Sequence, residues 1–177
     1  RELQRDVIFA FFDAEEPPHF LTPTMGSTYY YEHQRDEPIH CAVVLDLIGH
    51  DVPIPGYEDM LFVMGMESDA DLAGVIERAP APDKLRVAAV PNRYVGDMSD
   101  HHVFRTHGRP YLFFSCGQWE HYHMPSDTPE KLNYAKMRRM SEYLVDVVAA
   151  ASVEPLIGPF EGYDSTAVEL GLMKKHA

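Results

Sequence analysis

Apolar positions along the chain follow two patterns. The first is the unbroken run. Val7-Ile8-Phe9-Ala10-Phe11-Phe12 is the longest, and Cys41–Leu45, Leu61–Met64, Leu85–Val90 and Tyr111–Phe114 repeat it more briefly. A run without polar alternation fits a strand covered on both faces, as in the centre of a parallel sheet. The second pattern is helical. Met137, Met140, Leu144, Val147 and Val148 recur at steps of three and four and build one apolar face. Punctuation between the runs supplies the remaining boundaries. Pro17, Pro18 and Pro23 exclude regular structure before Gly26-Ser27, which opens a helix through about His33 with Ser27 as its cap. Ser68 is expected to cap a helix over Asp69–Arg78, ended by Pro80-Ala81-Pro82. Asp51–Tyr57 and Ser115–Thr128 read as loops, and Pro129 starts the last helical stretch. The tail over residues 154–177 is expected to lie on the surface. Strands alternating with helices predict an α/β layered fold.

Composition narrows the function classes. A chain of 177 residues is about one domain, and 45% hydrophobic with 24% charged residues is ordinary globular composition. Fifteen basic against 28 acidic residues leave a formal charge of −13. With no basic patch to oppose that field, a nucleic-acid partner is excluded. No apolar run approaches the length of a membrane span. Cys41 and Cys116 both lie in apolar segments and read as two buried free thiols.

The polar residues that interrupt this pattern fall at strand ends. The first run stops at Glu15-Glu16, Asp46 closes the second, and the last leads into a loop carrying His121 and His123. Open α/β sheets bind ligands beyond the carboxyl ends of their strands. Acids and histidines brought to one such rim are zinc-type donors. Asp46 is the most informative, because a carboxylate within an apolar strand is costly unless paired or metal-bound. Five of the ten histidines lie between His101 and His123, a clustering that hints at metal or acid–base chemistry. Against it, His102, His107 and His121 read individually as surface residues.

Four segments carry a resemblance: Phe12-Asp13-Ala14-Glu15-Glu16 followed by Gly26-Ser27; Leu45-Asp46-Leu47-Ile48-Gly49; Ser99-Asp100-His101 with Phe104; and Tyr122-His123-Met124-Pro125-Ser126-Asp127-Thr128. Together, and in this order, they resemble the zinc-dependent exopeptidases of the M28 type, which include bacterial aminopeptidases and the related glutaminyl cyclases. The resemblance covers about residues 7–150. It implies a three-layer α/β/α sandwich with a mostly parallel mixed sheet, and a peptide as substrate. It implies Glu15 as the general base, Glu16 and His123 as ligands of one zinc ion, and Asp46 as a ligand of a second. Asp127 would support the His123 loop or its imidazole, and Asp100 and His101 would contact substrate or transition state.

The pattern also departs from the family. Complete members carry a His-x-Asp segment and a metal-bridging Asp that nothing upstream of Val7 supplies, and the Pro17–Met25 link is long. The expectation is therefore a single, truncated metallopeptidase-like catalytic domain over residues 1–177, lacking the N-terminal part of the fold. Its three ligand positions are split between two metals, so the chain alone is expected to bind zinc poorly. The leading function is aminopeptidase-type hydrolysis of terminal peptide bonds. The alternatives are a glutaminyl-cyclase-like acyl transferase and a metal-free relative acting as a binding domain. The family resemblance implies a secreted or periplasmic location, although the chain shows no signal peptide. Substrate side-chain preference and oligomeric state stay open.

Overall fold

The computed structural model describes residues 3–33, 38–158, 164 and 166–176. Nine elements carry the fold: α1 (Gly26–His33), β1 (Ala42–Leu45), β2 (Met60–Met64), α2 (Leu72–Arg78), β3 (Arg86–Ala89), α3 (His101–Thr106), β4 (Tyr111–Ser115), α4 (Tyr134–Val153) and α5 (Thr166–His176). Short 3-10 turns cover Met66–Ser68, Asn92–Tyr94 and Pro129–Lys131. The four strands form one sheet in the order β1-β4-β2-β3. β1 runs parallel to β4 with Ala42 opposite Tyr111, and β2 runs parallel to β3 with Met60 opposite Arg86. β2 and β4 are antiparallel.

Alternation along the strands divides the core into two layers. Leu61, Val63, Leu112 and Phe114 pack with Val75 and Ile76 of α2 and with Met140, Tyr143 and Val147 of α4. Ala42, Val44, Met64, Tyr111 and Phe113 point the other way, toward Tyr31 of α1 and Val103 and Phe104 of α3. All five residues of β4 are buried, as expected of a central strand covered on both faces. The sheet is mixed, with two of its three pairings parallel, and helices cover both faces.

Four local expectations are corrected. Val7–Phe12 is not a buried strand. It runs extended without a ladder partner among the described residues, and Phe9 and Phe11 are 83% and 95% exposed. Apolar character buries a segment only where a neighbouring strand and a covering layer meet it. Here Phe12 alone finds a ring, Tyr30, at 5.6 Å. Ser27 lies inside α1 rather than capping it. Ser68 sits in the 3-10 turn, where its hydroxyl accepts from Tyr111 N at 2.9 Å and donates to Gly65 O at 2.6 Å. Tying that turn to β4 in this way delays α2 to Leu72. In the tail, Leu156 is buried and α5 packs against β3. The last helix is also delayed past Pro129. It begins at Tyr134, where the Asn133 side chain accepts from Lys136 N.

Cys41 and Cys116 are both free thiols. Cys116 is buried and Cys41 partly so, and burial pushes the Cys41 thiol up to about 12.

Candidate active site

The rim at the carboxyl ends of β1 and β4 gathers most of the residues singled out by sequence. Asp46 follows β1 directly, and its N–H donates to Phe114 O at 3.2 Å. Cys116 N–H returns the bond to Leu47 O at 3.0 Å, so the two strand ends are stitched together. Glu15 and Glu16 arrive from the other side. Their position is fixed by Gly26, whose N–H donates to Asp13 O at 3.0 Å. A Cβ on Gly26 would stand 2.6 Å from that same oxygen, so the close approach of α1 to Asp13 requires a glycine.

The central contact joins residues 107 positions apart: His123 Nε2 lies 2.6 Å from Glu16 Oε1. Both side chains are more than half exposed. Tyr122 stacks on the His123 ring at 3.8 Å between centroids. Burial is the main cause that raises the Tyr122 phenol, and Glu16, Asp46 and Glu15 push it further.

Carboxylates crowd this rim. Burial, then the charges of Asp46, Glu16 and Asp100, raise the Glu15 carboxyl to about 7, and only His123 pulls it down. Asp100 is likewise raised, chiefly by burial and then by Asp46, with the Ser27 hydroxyl acting against both. Glu15, Glu16, Asp46 and Asp100 therefore share one field with a single imidazole to balance it.

The backbone is strained at the same place. Among the described residues, five non-glycine residues have φ in the left-handed region, and three of them are Ala14 (53°), Leu47 (53°) and His123 (57°). They are the residue before Glu15, the residue after Asp46, and a candidate ligand itself. Such conformations cost on the order of 1–3 kcal/mol each and concentrate at functional sites.

Two sequence candidates stand elsewhere. His101 has no exposed surface. Its Nε2–H donates to Gly96 O at 3.0 Å, its ring stacks on Phe113 at 4.3 Å, and burial lowers its pKa to about 4. It lies under the rim in the second core layer, and the structure does not bring it to the surface where a substrate would sit. Asp127 is exposed, and its N–H closes a turn onto Met124 O at 2.9 Å. The imidazole of His123 bonds Glu16 rather than Asp127.

Other histidines are less solvated than their sequence context implies. His102 pairs with Asp97 at 2.9 Å beside Arg105, and His121 bonds Ser126 at 2.9 Å. His50, which sequence reasoning passed over, is buried and stacks on Trp119 at 4.5 Å, anchoring the loop that carries His123. A histidine one residue beyond the Asp46 motif, facing a loop with the chain's single Trp, was the available signal.

The donor set suits a divalent cation. A carboxylate and an imidazole already meet at Glu16 and His123, and among the described residues no Lys or Arg pairs with the surrounding carboxylates. Zinc accepts these N and O donors. Among the described residues, no three His, Cys, Asp or Glu side chains come together as a metal-holding group. The fit is thus to a donor pair within an acidic field.

The chain is 24% identical to the uncharacterized protein YfbL of Escherichia coli (strain K12), across 77% of this chain and 49% of that protein. It spans about half the length of that curated relative. Among solved structures, the LapA aminopeptidase of Legionella pneumophila shares the fold with a TM-score of 0.55 and 20% identity, over 73% of this chain and 36% of LapA. An aminopeptidase from Aneurinibacillus sp. strain AM-1 aligns with a TM-score of 0.48 and 19% identity, over 75% of this chain and 30% of that one. Residues 1–148 match Peptidase family M28, and the chain belongs to that family.

Proposed function

We propose that the chain carries part of the catalytic domain of a zinc-dependent aminopeptidase, acting on the peptide bond next to a free N-terminus. The observation that carries this reading is the 2.6 Å meeting of Glu16 and His123 beside a Glu15 whose pKa lies near 7. Glu16 and His123 would hold one zinc ion and Asp46 would contribute to a second. Zinc, when bound, supplies Lewis acidity, polarising the scissile carbonyl and acidifying water near neutral pH.

The remaining chemistry belongs to the chain. A general base works best with a pKa near the operating pH. Glu15 meets that condition because burial, and then the charges of Asp46, Glu16 and Asp100, oppose its ionisation. It takes the proton of the attacking water as the C–O bond forms, and returns it to the leaving nitrogen as the C–N bond breaks. The stack of Tyr122 on His123 orients the imidazole toward Glu16. His101 acts as a positioning residue: bonded to Gly96 O and packed on Phe113, it fixes the start of α3 and so the depth of Asp100.

The test is release of the N-terminal residue from a short peptide, with zinc content measured alongside, on the polypeptide as the cell makes it. Zinc-dependent release that falls in Glu15→Gln supports the reading. Cyclisation of an N-terminal glutamine in place of release would assign the acyl-transferase chemistry instead. Binding of the peptide with neither reaction would leave a binding domain.

A further inference from the structure

His123 stands in the left-handed region, with φ 57°, and its imidazole bonds Glu16 rather than Asp127. A strained residue keeps its place only where its surroundings over-determine the backbone. Here those surroundings lead back to His50.

His50 is 3% exposed, and its ring lies on Trp119 with 4.5 Å between centroids and 13° between planes. Trp119 in turn meets His121 edge-on at 4.7 Å. Trp119 O accepts from Tyr122 N–H at 3.1 Å, and His121 O accepts from Met124 N–H at 2.9 Å. His121 Nδ1 lies 2.9 Å from Ser126 Oγ. Overlapping turns over Trp119–Met124 thus set the direction of His123, and they start from the ring that His50 covers.

His50 is itself gripped by the start of α4. Asn133 N–H donates to Gly49 O at 2.8 Å, and Asn133 Nδ2 donates to Asp51 Oδ1 at 2.8 Å. Between these two bonds, Lys136 Nζ donates to His50 O at 3.1 Å and to Glu58 O at 2.8 Å. Lys136 is 1% exposed, and an ammonium is buried at low cost only when it is bonded in this way. Gly49, His50 and Asp51 are therefore each tied to one helix, shortly after Asp46.

The His50 ring works through its face. Its Nε2 has no hydrogen-bond partner among the described residues. Burial is the largest influence on the imidazole and lowers its pKa, so the ring is neutral at pH 7. A neutral ring lying flat on an indole is an aromatic pair, which phenylalanine can reproduce and an amide cannot.

We propose that His50 is a positioning residue for His123: held by Asn133 and Lys136, its ring fixes Trp119 and so keeps the His123 imidazole beside Glu16, where a zinc ion would be bound. The role toward zinc rests on the reading of the rim given above. The ordering of the loop does not.

The experiment contrasts His50→Phe, which keeps an aromatic face, with His50→Gln, which keeps a polar side chain and loses the face. Both are made in the polypeptide as the cell makes it. Hydrogen exchange of the amides over residues 117–127 is followed without metal, with the amides of β4 as the measure of global stability. Zinc affinity is then measured by competition with a chelating dye. His50→Gln should speed loop exchange severalfold and weaken zinc by roughly tenfold, with β4 unchanged. His50→Phe should stay close to the wild type in both. Trp119→Leu should match His50→Gln, and the double variant should lose no more than either alone, since both remove the same contact. Loop exchange in His50→Gln equal to the wild type overturns the proposal. So does an equal loss in His50→Phe, additive losses in the double variant, or β4 exchange rising in step with the loop. If the wild type binds no zinc, the zinc reading of the rim fails, and loop exchange alone decides whether His50 positions His123.

Discussion

At the carboxyl end of β1 and β4, Glu16 and His123 meet in the open, each side chain more than half exposed. At the amino end of β4, Asn92 and Tyr111 are buried, and Asn92 Oδ1 and Tyr111 OH have no hydrogen-bond partner among the described residues. The first end stores its cost in the backbone, at Ala14, Leu47 and His123, and in carboxylates pressed together without a cation. The second stores it in unmet hydrogen-bonding capacity under a well-packed layer. Strand β4 connects them. Its five buried residues form a rigid bar, so each end is held by the same packing. Preorganisation of this sort lets a site keep unfavourable groups poised.

The largest effects are expected at the rim. Glu15→Gln should lower turnover about 10²- to 10⁴-fold, the usual contribution of a general base, with zinc content unchanged. Glu16→Gln should instead weaken zinc by roughly tenfold or more, because a neutral amide is a poorer ligand than a carboxylate and even outer partners of a ligand matter by 10- to 100-fold. Added zinc should then restore part of the activity of Glu16→Gln and none of that of Glu15→Gln. Metal analysis and peptide hydrolysis on the same preparations separate the two. If Glu15→Gln loses zinc and Glu16→Gln keeps it, the roles exchange. If neither variant alters rate or metal content, the rim is not the active site.

The rim was legible because its chemistry is spelled in short segments. Glu15-Glu16 and Asp46 follow apolar runs, so the ends of those runs mark them in the sequence. His123 came with its loop. What these segments did not disclose was depth. Ser99-Asp100-His101 reads as a polar triplet, yet α3 turns His101 inward onto Phe113 while Asp100 stays near Asp46. Val7–Phe12 failed for a related reason. Its residues are as apolar as those of β4, and burial was decided by what pairs with the segment rather than by its own composition. The amino end of β4 was illegible altogether. Glu67, Asn92, Arg105 and Tyr111 share no spacing, and only the antiparallel pairing of β2 with β4 brings them together.

Between the two ends, His101 makes an intermediate prediction about acid. Its folded pKa, about 4, lies below the ordinary 6.5, so the neutral ring is the form that fits the core. The stability from this group is therefore complete above pH 6.5 and is lost as pH falls toward 4. At about 1.4 kcal/mol per pH unit, the loss reaches at most about 3 kcal/mol. His101→Phe keeps the stack on Phe113 and removes the titrating group. Urea unfolding at a series of pH values should show the wild-type chain losing stability across that window faster than the variant. Parallel curves would mean that the imidazole is not confined as the structure places it.

The smallest effect tests the amino end of β4. A buried hydroxyl that bonds nothing was desolvated on folding with no return, and replacing it by hydrogen removes that penalty. Tyr111→Phe keeps the ring between Phe113's layer and His101, whose centroid lies 5.6 Å away, and deletes only the unpaired oxygen. The ligand-free variant should be as stable as the wild type or more stable, by up to about 1 kcal/mol. A loss of stability would show that the hydroxyl is already bonded in the folded protein. The sign therefore distinguishes the two ends of the sheet. At the rim, truncating a polar group removes function. At the start of β4, it relieves a cost that the folded chain carries.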